Sequence, residues 1–75
     1  MVRMTLARAA HVELTVYNVL GQEVTKLIDG YLPAGEHSVP WDGRSEGGTR
    51  VSSGVYFYRL STGSETMTKK MILLE

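Results

Sequence analysis

The chain has no cysteine, and that alone removes disulfide frameworks and thiolate metal sites from consideration. Its formal net charge is zero, from eight Lys and Arg against eight Asp and Glu. Without a basic surplus there is no electrostatic ground for expecting nucleic acid or an anionic membrane surface as a partner. No apolar run approaches the ~20 residues of a membrane-crossing helix, and Arg3 and Arg8 interrupt the start, so neither membrane insertion nor a signal peptide is expected. Prolines number two, and Trp and Phe occur once each; in a chain this short any core must be thin. At 75 residues there is room for one domain, residues 1–75. About 60% of the unfolded surface is buried by chains of this size, and a ligand pocket of the usual ~300 Å³ is not expected.

What is present favours strands. Eight Val, two Ile, seven Thr and four Tyr fit a pleated surface, and eight glycines punctuate the chain at short intervals. Val2, Met4 and Leu6 alternate with Arg3, Thr5 and Ala7, which predicts a first strand in preference to a short helix through Leu6–Ala10. His11–Val19 alternates most cleanly, with Val12, Leu14 and Val16 on one face. Leu20-Gly21-Gln22 predicts a turn, and Glu23–Ile28 a return strand whose imperfect alternation calls for a bulge or an edge position. Asp29-Gly30 and Leu32-Pro33-Ala34-Gly35 are expected to close the next connection. Glu36–Trp41 alternates again, with Pro40 marking an edge or an end. A polar loop follows over residues 42–50. Gly54 then opens Val55–Leu60, and a turn at Thr62-Gly63-Ser64 leads to a last strand, Thr66–Leu74. Six or seven short strands in two packed antiparallel sheets, an all-β sandwich, is the expected fold.

Chemistry is harder to find. Ser52 or Ser53, His37 and Asp42 supply the residue types of a hydrolytic triad, but the strand-to-helix elbow that would present the serine is missing. Asp42 and Glu46 lack the spacing of a calcium loop, and two histidines are too few for a structural zinc. The glycines from Gly43 to Gly48 are followed by no Lys-Ser/Thr and no helix, so they cradle no phosphate. Lys69 and Lys70 are consecutive in a strand and face opposite sides, which suits protection of a sheet edge better than a single basic patch. Trp41 is expected to be the main core filler. No catalysis and no cofactor are expected.

Taken in order, the motifs are more specific than any one residue. The chain reads Val12-Glu-Leu-Thr-Val-Tyr-Asn18, Leu20-Gly-Gln-Glu-Val24, Leu32-Pro-Ala-Gly-Glu-His37, Val39-Pro-Trp-Asp-Gly-Arg44, Ser53-Gly-Val-Tyr-Phe-Tyr-Arg-Leu60 and Lys69-Lys-Met-Ile-Leu73. This order resembles two related families, the type A C-terminal sorting domain of type IX secretion cargo and the FlgD-like Ig-like domain of flagellar hook-capping proteins. The resemblance implies a small Ig-like, fibronectin-III-like sandwich in which Gly21, Gly35, Trp41, Asp42, Gly43, Gly54 and Tyr56 are structural. It also implies a secreted or cell-surface setting within a larger exported protein, with secretion machinery or surface proteins as partners. The ending at Lys69-Lys-Met-Ile-Leu-Leu-Glu75 looks like that of a sorting signal, and a Met1 with no export signal suggests an excised module. Sorting is therefore the expected role, read through Lys69, Lys70 and Met71 on the final hairpin. A hook-capping or other surface structural module is the alternative, and a carbohydrate-binding accessory module, with Trp41 or a row of tyrosines exposed, is the second. The chain is expected to be a monomer or a weak dimer through an edge strand.

Overall fold

A computed structural model describes residues 2–63 and 65–74. Six strands follow one another: β1 (Val2–Leu6), β2 (Ala10–Tyr17), β3 (Glu23–Leu32), β4 (Gly35–Val39), β5 (Gly54–Ser61) and β6 (Thr66–Leu73). They form an all-β, Ig-like sandwich of two antiparallel sheets. The larger has the order β3-β2-β5-β6, and the smaller pairs β1 with β4.

The alternation that predicted β1 and β2 is what buries them. Val2, Met4 and Leu6 face inward from the small sheet and pack with Val12 and Leu14 from the centre of the large one, where Val16 is buried on the same face of β2. Val12, Leu14 and Val16 are 0% exposed. Burying each contributes about 1.5–3 kcal/mol relative to leaving it in water. Leu60, Leu27, Ile28, Leu32, Val39 and Tyr58 complete the cluster. Trp41 is not part of it. The residue expected to fill the core is only half-buried, because β4 ends at Val39 and Trp41 lies beyond the strand alternation that buries the core positions.

The return strand departs from expectation in the same instructive way. Asp29-Gly30 makes no turn; β3 runs on through both residues to Leu32 and reverses only at Pro33-Ala34. Asp29 lies opposite Glu13 and Gly30 opposite Val12, so pairing along the whole of β2 outweighs the local turn preference. Where alternation faltered, both suggested causes are present. The strand is at the sheet edge, and its register slips twice, leaving Leu27 and Val24 as the extra residues.

Turn chemistry at the first hairpin rests on a side chain that the sequence reading passed over. The Asn18 side-chain oxygen accepts from the amides of Leu20 and Gln22 at 2.9 and 3.0 Å, and the amide of Gly21 donates to the Asn18 carbonyl. Gly21 sits at φ +82°, where an L side chain is strained. In the β5–β6 hairpin the Thr62 amide donates to the Glu65 carbonyl at 2.8 Å; Ser64, also assigned to that turn, lies outside the described residues.

Candidate functional site

Most of the residues singled out from sequence lie on or against a packed loop or on an open strand; Gly21 and Gly35 stand apart, in the first hairpin turn and at the start of β4. The loop spans residues 40–53. Asp42 accepts from the Arg44 amide at 3.2 Å, the local turn expected of it, and its other oxygen lies 3.4 Å from Arg44 Nε. Trp41 donates its indole N–H to the Arg44 carbonyl at 3.0 Å and stands edge-on to Tyr56, with ring centroids 5.2 Å apart and planes at 71°. Tyr56, buried, donates to the Ser52 carbonyl at 2.6 Å. Gly43, at φ +78°, brings the loop against Leu73: a Cβ there would lie 3.2 Å from the leucine methyl. Gly35 and Gly54 stand at the starts of β4 and β5.

These contacts also account for the triad residue types. His37 engages the Pro33 carbonyl at 2.8 Å and Asp42 engages its own turn, so each is occupied by backbone. Among the described residues no three or more His, Asp or Glu side chains gather into a metal-binding group. Trp41 stands edge-on to the buried Tyr56, and the tyrosines divide between the two faces of the sheet, with Tyr31 exposed opposite His11. Tyr56 and Tyr58 face inward, whereas Tyr17 lies on the outer face under the Arg59 guanidinium, 5.2 Å from the ring centroid.

The expectation that so small a chain has no sizeable cleft fails. The two-stranded sheet covers only part of the four-stranded one, and an open cleft of about 740 Å³ remains where Leu6 and Arg8 face Leu60, Thr62, Glu65 and Met67. A shallower hollow of about 320 Å³ lies on the outer face between Tyr17, Phe57 and Arg59.

The open strand is β6. It carries Lys69, Lys70 and Met71, and every residue from Thr66 to Lys70 is exposed. Its pairing with β5 is unbroken from Ser61–Thr66 to Gly54–Leu73. Cross-strand partners share a face, so Met67, Lys69 and Met71 follow Leu60, Tyr58 and Tyr56 inward, while Thr68, Lys70 and Ile72 lie outward beside Arg59, Phe57 and Val55. The opposite edge is closed. On β3 and its neighbour β2, Lys26 sits 3.3 Å from Glu13 and 4.0 Å from Asp29, and His11 sits 3.2 Å from Asp29. The hydrogen bond from Lys26 to Glu13, reinforced by both carboxylates, holds the ammonium above its usual pKa of 10.5. At the second bulge the carbonyl of Val24 accepts from the Glu46 amide at 3.1 Å, so the loop lies across that edge. No local sequence signal links Glu46 to Val24.

The sequence matches the FlgD Ig-like domain family over residues 1–66. The chain belongs to that family. Of the two resemblances, the FlgD-like one is thereby supported; no finding supports a type IX sorting domain. No curated protein and no solved structure matches the chain. All but the first residue of β6 lies beyond the matched span, so Lys69, Lys70 and Met71 are read on their own surroundings rather than by carry-over from the family.

Proposed function

We propose that this FlgD-like Ig-like domain is a non-catalytic structural module of a flagellar hook-capping or related surface assembly, working outside the cell as part of a larger protein. The observation that carries the reading is the family match over most of the chain. The engagement of His37, Asp42 and Trp41 with backbone groups supports it, since residue types that could serve a reaction or a sugar here organise turns. The partners on this reading are the proteins of that assembly, and no cofactor takes part. The sorting role through type IX secretion ranks below it.

Replacing residues 2–74 in the native gene by a flexible linker separates the two roles. Loss of hooks under the electron microscope, with export of the remaining protein intact, is the expected result. Retained hooks with abolished export would assign the chain to sorting instead, and retention of both would remove the assembly role.

A further inference from the structure

The two edges of the large sheet are built differently. On β3, two bulges, the Glu13–Lys26–Asp29–His11 network and the Glu46 amide together blunt the edge. These are devices that keep an edge from recruiting another strand. Among the described residues β6 has no bulge, no ion-pair network and no loop amide bonded to its rim; its guard is the Lys69–Lys70 pair, which repels a second copy of itself but not an acidic strand. That strand is eight residues long, has an unbroken register, and pairs on one side only. Its outer rim of amides and carbonyls has no strand partner, a ready template for main-chain hydrogen bonds.

Charge identifies what the template accepts. Lys69 and Lys70 lie opposite Tyr58 and Phe57, and neither lysine has a carboxylate within 4.0 Å among the described residues. Arg59, next to Thr68 on the outer face, is likewise without one and rests on Tyr17. Because consecutive strand residues point to opposite faces, the two lysines present one cation above the sheet and one below it. A second copy of β6 is a poor match: antiparallel self-pairing centred on Lys69 and Lys70 sets lysine against lysine, which is unfavourable for directly opposed residues. A neighbouring strand with two adjacent carboxylates matches both cations at once, and apolar side chains on either side of that pair meet Met67 and Met71 on the inner face and Ile72 on the outer. Met67 is 48% exposed and Ile72 65% exposed, so each has surface to bury.

We propose that β6 is an open docking edge, and that an extended segment of a partner protein bearing two adjacent carboxylates adds there as a fifth strand of the sheet. The proposal rests on the assembly reading above and names the chemistry of the partner segment.

Binding is measured by fluorescence anisotropy on residues 1–75, using a labelled eight-residue peptide of alternating Val and Thr with two central Glu, and its counterpart with two central Lys. The Glu peptide is expected to bind roughly tenfold tighter than the Lys peptide at low salt, the scale set by two exposed charge pairs replaced by two repulsions. The Lys69→Glu/Lys70→Glu double variant is expected to reverse the preference, and Lys69→Gln/Lys70→Gln to abolish it. Amide exchange across residues 66–73 should slow when the Glu peptide binds, as main-chain pairing requires. Equal binding of the two peptides, no binding of either, or binding with unchanged exchange at β6 overturns the proposal. So does a concentration-dependent dimer that masks β6 in the absence of peptide. The hook phenotype reports the assembly role whichever edge is used, so failure of either test leaves the other informative.

Discussion

Gly43 and Gly47 lie four residues apart in one loop and make different demands on the backbone. Gly43 combines φ +78° with a neighbour 3.2 Å from where a Cβ would stand, whereas the space beside Gly47 is open and its φ is ordinary. Gly43→Ala should therefore cost about 1–2 kcal/mol from the left-handed backbone alone, with any displacement of Leu73 added to that. Gly47→Ala should be close to neutral. Urea unfolding of the two variants side by side checks this. Tyr56 offers a second test. Tyr56→Phe keeps the ring against Trp41 but removes the 2.6 Å bond to the Ser52 carbonyl, and should cost about 1 kcal/mol. Trp41 emission should stay unchanged in the folded state. An emission shift would mean that the hydroxyl, not the ring contact, holds the indole in place.

Between elements, the contrast lies in how each edge strand is protected, and pH exposes it. The Lys26 pKa is raised in the folded protein, so its stabilising effect is fully present below the unfolded value of 10.5 and disappears as pH rises through the higher folded value. Lys26→Met should lower the Tm at pH 7, and the gap from the parent should close above pH 10.5 as the parent loses its ammonium. A gap of constant size across thermal scans from pH 7 to pH 11.5 would assign the loss to packing of the lysine stem. Much of this scale was legible in the sequence: Val2, Met4 and Leu6, like Val12, Leu14 and Val16, announce buried faces because alternation is a local property of a strand. Asp29-Gly30 misled because the preference of two residues for a turn is weaker than pairing along the length of β2. The closed edge at β3 was not legible, since it depends on Glu46 reaching Val24 across 22 positions of sequence. Trp41 misled for a related reason: size predicts burial, but its place beyond the end of β4 removed it from the alternation that fills the core.

For the whole molecule, family membership and the two-sheet architecture agree, while the cleft beside Met67 shows that a two-stranded sheet only partly covers a four-stranded one. The strand order has a kinetic consequence as well. The β2–β3 and β5–β6 hairpins close over short stretches of chain, but Glu13 meets Ser61 and Val2 meets Val39 only after long loops have closed. Loop-closure entropy opposes those steps. The four-stranded sheet is expected to form by docking two ready-made hairpins, and the β1–β4 pair to settle on it last, because two strands without a hairpin turn between them are marginal until they pack on a larger sheet. Val39→Ala, at the half-buried end of that pair, should cost about 1 kcal/mol and appear almost entirely as faster unfolding, with the refolding rate nearly unchanged. Stopped-flow chevrons measure both arms, and an equal slowing of refolding would place the small sheet in the nucleus instead. The element that seals the core would thus be the last to arrive and the first to leave, and the lifetime of the folded state would be set by the hold of a two-stranded cover rather than by the sheet beneath it.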